Sequence, residues 1–161
     1  MDNESNIGHD SVEILLLEDN PADAELFQRA MAGPYRITVA QTGPEALDRL
    51  FQRGKFGRSK RPDLVVLDLN VPLLNGHEVL NVIKSNSNLR SIPVVVFSIS
   101  DQVDDIRKAY ELGACSYIVK PGTLRETEKT LSAFADFWIR QVVYPGLMRI
   151  PKAASDAVSS G

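Results

Sequence analysis

The chain has 161 residues, 43% of them apolar and 24% charged, with a formal net charge of -3. That length carries one domain with a proper core, and no apolar run approaches the roughly 20 residues that span a bilayer, so an integral membrane protein is excluded. The negative balance gives no global pull on nucleic acid, although Lys55, Arg58, Lys60 and Arg61 form a local basic loop that reads as solvated surface.

Cys115 is the only cysteine, so neither an intramolecular disulfide nor a cysteine-based metal site can form, which fits a reducing compartment. Residues 1–11 are polar and acidic, without the basic and apolar regions of a signal peptide; the cytoplasm is the default location. Val12 to Leu17 is the first predicted strand, ended by Glu18-Asp19-Asn20-Pro21, in which Asn20 is placed to cap a helix and Pro21 to occupy its first position. The helix from Ala22 to Ala32 sets Leu26 and Ala30 on one face and closes at Gly33-Pro34, and Tyr35 to Ala40 alternates as a second strand. Thr42-Gly43-Pro44-Glu45 has the spacing of a capping box and opens a helix with Ala46, Leu47, Leu50 and Phe51 toward a core.

The third strand, Leu64 to Leu67, is too apolar to keep a wet face. It stops at Asp68, where turn residues begin. Such a strand belongs in a parallel sheet covered by helices on both sides, and ligands of these sheets bind just beyond the carboxyl ends of the strands. Gly76 to Ser85 carries Val79, Leu80, Val82 and Ile83 at helical spacing. Pro93 to Phe97 is a fourth strand with Ser98 at its end. Asp101 to Leu112 is a fourth helix closed by Gly113, and Cys115 to Val119 is a fifth strand followed by Lys120-Pro121. Thr123-Leu124-Arg125-Glu126 repeats the capping-box spacing and opens a last helix running to about Val143. His9 and His77 show no ligand spacing and read as surface residues.

Five strands alternating with five helical segments predict an α/β fold with a parallel sheet and helices on both faces, because each parallel crossover needs a helix-length connection. The flavodoxin-like strand order 2-1-3-4-5 follows, with its crevice between the first and third strands. The domain occupies residues 12–143, between a polar extension, 1–11, and an arm, 144–161. Glu18, Asp19 and Asp68 meet in the crevice. Carboxylates gathered there repel one another, which a hard divalent cation relieves: Mg²⁺ held by Asp19, Asp68 and the Asn70 carbonyl, with Glu18 on a metal-bound water. Ser98 and Lys120 stand on the other side of Asp68. Metal on one side and donors on the other make a cradle for a phosphoryl group, with Asp68 as nucleophile. Each residue alone has a plainer reading as a turn acid, a helix cap or a surface charge. Their arrival at four strand ends of one sheet favours the site.

The set Leu17-Glu18-Asp19-Asn20, Val66-Leu67-Asp68-Leu69-Asn70-Val71-Pro72, Ser98 and Gly113 to Pro121 resembles the receiver domain of two-component response regulators over about residues 12 to 143. The resemblance implies Asp68 as phosphoacceptor, Glu18 and Asp19 as the acidic pair, Ser98 as switch hydroxyl, Lys120 as phosphoryl-binding lysine and Tyr117 as aromatic switch. It further implies a cis Lys120-Pro121 bond and a sensor histidine kinase as partner. Ile99 departs from the pattern, being bulky where many receivers have a small residue next to the switch serine. The segment from Phe134 to Pro145 also resembles the ending of stand-alone response regulators that partner phytochrome-type kinases.

On that last helix Leu131, Phe134, Trp138 and Val142 make one stripe, while Phe137 and Tyr144 lie off it and point to a homodimer surface on the helix and arm. No nucleic acid, no membrane and no enzymatic domain belong to this reading. Its alternatives are a receiver that docks partners without being phosphorylated, raised by Ile99, and a Mg²⁺-dependent phosphatase using a strand-end Asp. Asn70 cannot supply the general acid expected of the phosphatase. A flavin carrier shares the fold, but acidic loops would repel the cofactor phosphate.

Overall fold

The computed structural model describes residues 10–31 and 33–147. His9 therefore lies outside the described residues, as do most of the extension and most of the arm. The elements run β1 (Val12–Leu17), α1 (Pro21–Ala30), β2 (Tyr35–Ala40), α2 (Gly43–Leu50), a 3-10 turn (Gly54–Phe56), β3 (Leu64–Leu67), α3 (Gly76–Ser85), β4 (Val94–Ser98), α4 (Val103–Glu111), β5 (Ser116–Val119) and α5 (Leu124–Trp138). All strand pairs are parallel and the order is β2-β1-β3-β4-β5, as predicted. Leu17 pairs with Ala40 on one side and Leu67 on the other, so Glu18 and Asp68 leave adjacent strands at the same level.

Every residue of β1, β3 and β4 is buried, because helices cover both faces. Alternate β1 residues feed two cores. Leu15 and Leu17 join α2, α3 and α4 residues such as Leu50, Leu80 and Ala109; Val12, Ile14 and Leu16 join α1 and α5 residues such as Phe27, Leu131 and Phe134. Phe27 meets Phe97 edge-on at 5.9 Å and Phe134 at 5.6 Å. Phe27 and Ala24 are thus the buried residues of α1, with Ala30 packed partly buried against the same core, whereas Leu26 joins neither core. A ring between two other rings removes more apolar area from water than a leucine beside the site can.

The helices start where side chains satisfy their free N–H groups. Asn20 Oδ1 accepts from the Ala22 and Asp23 amides, Thr42 Oγ1 from Glu45 and Thr123 Oγ1 from Glu126. Gly113 follows α4 with a φ of 109°, a conformation open to glycine at little cost. The last helix is shorter than predicted: α5 ends at Trp138 and the chain folds back, with the Tyr144 hydroxyl donating to the Trp138 carbonyl at 2.7 Å. Tyr144 and Leu147, only 4% and 8% exposed, belong to the α1–α5 core, so Tyr144 lies off the helix and faces inward. No helix among the described residues is long and apolar enough to cross a membrane.

Candidate functional site

The site stands at the carboxyl edge, where β1, β3, β4 and β5 deliver Glu18, Asp68, Ser98 and Lys120. Asp68 lies one residue beyond β3. Its backbone N–H donates to the Leu17 carbonyl at 3.0 Å, which extends the β1–β3 ladder by one bond and fixes the start of its side chain. Gly76 then lets the following loop close: a Cβ there would stand 2.4 Å from the Asp68 carbonyl and 2.8 Å from the Leu69 Cα. Asp68 Oδ1 accepts from the Asn70 amide at 3.0 Å, leaving Oδ2 to face across the sheet.

Lys120 fills that space. Its Nζ lies 2.8 Å from Asp68 Oδ2, 2.5 Å from Glu18 Oε1 and 3.3 Å from Asp23 Oδ2. Burial alone would lower the lysine pKa, but hydrogen bonds and attraction to Asp68 and Glu18 outweigh it and hold the ammonium above its ordinary value. For Glu18 burial wins. Desolvation raises its carboxyl above the ordinary range despite the opposing pull of Lys120, with the Asp68 charge adding to the rise. The site is therefore a buried carboxylate pair joined by one cation.

Ser98 at the end of β4 is fully buried, and its Oγ accepts the Ser100 amide at 3.3 Å. Tyr117 is half-buried on the same side, its hydroxyl donating to the Ser100 carbonyl at 2.8 Å; burial raises its pKa. Ser100 Oγ donates in turn to Asp105 of α4. His77 is buried too, contrary to the surface reading, with Nε2 donating to the Asp105 carbonyl at 3.0 Å. A histidine that buries its ring against a neighbouring helix needs no ligand spacing, so its setting left no mark in the sequence.

Asp19 is not drawn into the cluster. It is exposed, and among the described residues no three Asp, Glu, His or Cys side chains converge closely enough to hold a metal ion. Asn70 is exposed as well. The expected cis bond is corrected: no peptide bond among the described residues is cis, so Lys120-Pro121 is trans, the form favoured for an X-Pro bond by about 0.5–1 kcal/mol. Asp23 was not anticipated as a partner of Lys120. An acid in the first turn of a helix reads as a complement to the helix dipole. The signal was its place one turn beyond the acidic pair.

Comparison with known proteins identifies this arrangement. A family model described as "Response regulator receiver domain" matches residues 14–132. Response regulator Rcp1 of Synechocystis sp. is 37% identical over 135 residues, 82% of this chain and 92% of that protein. The crystal structure of its Mn(2+)-bound form aligns with a TM-score of 0.80 over 83% of this chain and 99% of that one, at 36% identity. The phosphorylated cyanobacterial phytochrome response regulator RcpA aligns with a TM-score of 0.81 and 39% identity over 84% of this chain and 99% of that one. The probable methanogenesis regulatory protein FilR2 of Methanothrix harundinacea is 40% identical over 136 residues, 83% of this chain and 87% of that protein. With its five-stranded sheet, its carboxyl-edge cluster and relatives of this closeness, the chain belongs to the response regulator receiver domain family.

Proposed function

We propose that the protein is a single-domain response regulator that accepts a phosphoryl group on Asp68 from a sensor histidine kinase. The observation that carries this reading is the contact of Asp68 Oδ2 with the Lys120 ammonium at 2.8 Å, beside the fully buried Ser98 hydroxyl. In the transfer, an Asp68 oxygen forms a bond to phosphorus as the phosphorus–nitrogen bond of a kinase phosphohistidine breaks, and the departing imidazole takes up a proton. Lys120 neutralises charge on the equatorial oxygens and Ser98 donates to one of them. Asp68 Oδ1 is held by the Asn70 amide at 3.0 Å, a shorter contact than the 3.3 Å from the Asn20 amide to Glu18 Oε2, and this aims its other oxygen at Lys120.

The donors around Asp68 are hard oxygens, the chemistry that a divalent cation such as Mg²⁺ selects. Asp19, Asp68 and the Asn70 carbonyl would hold it, with Glu18 on a bound water. When bound, such an ion supplies charge neutralisation at the transferring phosphoryl group.

After transfer, Ser98 turns toward the new oxygens and Tyr117 exchanges its Ser100 bond for the space vacated. That biases the face made by α4, β5 and α5 between two states. Likeness to Rcp1 and RcpA supports a phytochrome-type kinase as the partner, and the exposed Phe137 beside Trp138 supports a homodimer through the end of α5. The deciding experiment is incubation with acetyl phosphate and Mg²⁺ followed by intact mass. One hydroxylamine-labile phosphoryl group is expected, absent from Asp68→Asn. A variant labelled as well as the wild type would refute the assignment. Failure of both to label would favour phosphorylation-independent docking, to which Ile99, 69% exposed beside Lys120, also points.

A further inference from the structure

A second site opens at the other edge of the sheet. β2 is 6 residues long and α2 only 8, so the strand extends about 20 Å and the helix about 12 Å, too short to cover the amino half of that edge strand. The basic loop bridges the gap and leaves a cavity of about 540 Å³, walled by Glu13, Arg36, Thr38, Arg49, Lys60 and the apolar side of Leu15. That volume lies in the range of small-molecule pockets. Glu18 lies five steps along the extended chain from Glu13, placing the cavity about 17 Å from the Asp68 cluster.

Three cations and one carboxylate line it. Lys60 Nζ is 3.7 Å from Glu13 Oε1, and the Arg49 guanidinium pairs with Glu45 at 3.1 Å while lying 4.2 Å over the Phe56 ring. Stacking and pairing fix the Arg49 fork, yet its Nε is buried with no hydrogen-bond partner. A hidden N–H without an acceptor is costly, and an oxygen anion that reached it would recover that cost. Arg36, on the edge strand β2, has no side-chain partner among the described residues. Two guanidinium groups with donors to spare offer the paired N–H geometry that oxyanions such as phosphate accept.

We propose that this cavity binds a mononucleotide-sized organic phosphate. Arg36 and the Arg49 Nε–H hold the phosphate, the Glu13 carboxylate accepts from hydroxyl or amino groups, and Leu15 packs on the apolar part of the ligand. The basic loop is then part of a binding site and not a solvated surface. The site is independent of phosphoryl acceptance at Asp68.

The test is an NMR titration of the ¹⁵N-labelled full chain with adenosine monophosphate, inorganic phosphate and adenosine in separate arms, in buffer with a chelator to silence metal binding. Adenosine monophosphate is expected to give saturable shifts at the Arg49 Nε–H and the Arg36, Thr38 and Lys60 amides. Phosphate and adenosine alone should bind at least about tenfold more weakly. Arg49→Gln should weaken binding about tenfold or more, and so should Arg36→Gln, which alters an exposed edge residue and leaves the core intact. Non-saturating shifts, shifts centred on Asn70 and Lys120, or an Arg36→Gln protein that binds like the wild type would overturn the proposal.

Discussion

The Lys120 ammonium stands 2.8 Å from the Asp68 carboxylate, and 52 residues of chain separate them. Both side chains are about nine-tenths buried, so the pair is held in a poorly solvated space. Removing the cation leaves Asp68 and Glu18 facing each other without compensation. Lys120→Met is therefore expected to cost about 3 kcal/mol in urea unfolding at neutral pH without metal, and to slow acetyl phosphate labelling. A loss below about 1 kcal/mol would mean that water or a neighbour already replaces the lysine.

A divalent ion acts on the same imbalance from the other side. Mg²⁺ should stabilise the fold by about 2.7 kcal/mol at a concentration one hundred times its dissociation constant, since it binds the folded cluster and not the unfolded chain, and so raise the melting temperature. Asp19→Ala should abolish the rise, because Asp19 is the exposed carboxylate not already engaged by Lys120. Equal melting shifts in the variant and the wild type would remove Asp19 from the metal site.

The raised pKa of Glu18, caused first by its burial, sets the sign of a pH dependence. Its folded form holds a proton more tightly than the unfolded chain does. The stability this contributes is present below the ordinary glutamate value of 4.5 and is lost as pH rises through the folded value. The stability difference between wild type and Glu18→Gln should accordingly shift in favour of the variant as pH increases through that window, in chelator-containing buffer. A difference constant with pH would show that Glu18 titrates alike in both states.

Gly76 tests the link between fold and site. Alanine there must push on the Asp68 carbonyl and the Leu69 Cα, both backbone, so Gly76→Ala should cost about 1–3 kcal/mol and lower the labelling rate by displacing the aspartate. Gly122→Ala is the control, since a Cβ at that position meets nothing within 4 Å. Equal effects of the two substitutions would disconnect the Asp68 loop from Gly76.

At the end of α5, Phe137 is 55% exposed and meets Trp138 edge-on at 5.1 Å, while Trp138 also packs on Phe134. In a homodimer through this surface, Trp138→Ala should cost about 2 kcal/mol of association, roughly thirtyfold in dissociation constant, and Phe137→Ala should weaken the dimer while leaving the core intact. Sedimentation equilibrium at tens of micromolar decides it. A monomeric wild type would reduce Trp138 to intramolecular packing.

The fold was legible because its signals are local. Apolar runs with no polar face marked β1, β3 and β4, and Asn20, Thr42 and Thr123 marked helix starts through the hydrogen bonds they accept. Glu18, Asp68, Ser98 and Lys120 could be placed together because each follows a strand of one parallel sheet, and strand order then determines which ends are neighbours. What depends on side-chain reach was not legible. Asp23 extends back to Lys120 from a helix turn, His77 buries its ring against α4, and Asp19 turns outward although it adjoins Glu18. The end of α5 was misplaced for a related reason: helical spacing continues past Trp138, but Tyr144 gains more by closing over the α1–α5 core than by prolonging the helix.

That fold-back orders events during synthesis. The core between the sheet and α2, α3 and α4 draws on residues from Leu15 to Tyr117, whereas the opposite core is closed by Leu131, Phe134, Ile139, Tyr144 and Leu147. A ribosome that has released residue 117 has delivered everything one face requires, while the other face still lacks its covering helix. Domains fold as the chain emerges, amino end first, so the α1 side stays open longest and is where a nascent chain offers apolar surface to a chaperone. Chains stalled at successive lengths and probed by brief proteolysis should show α3 protected before α1, with protection of α1 arriving only when Leu147 is free of the exit tunnel.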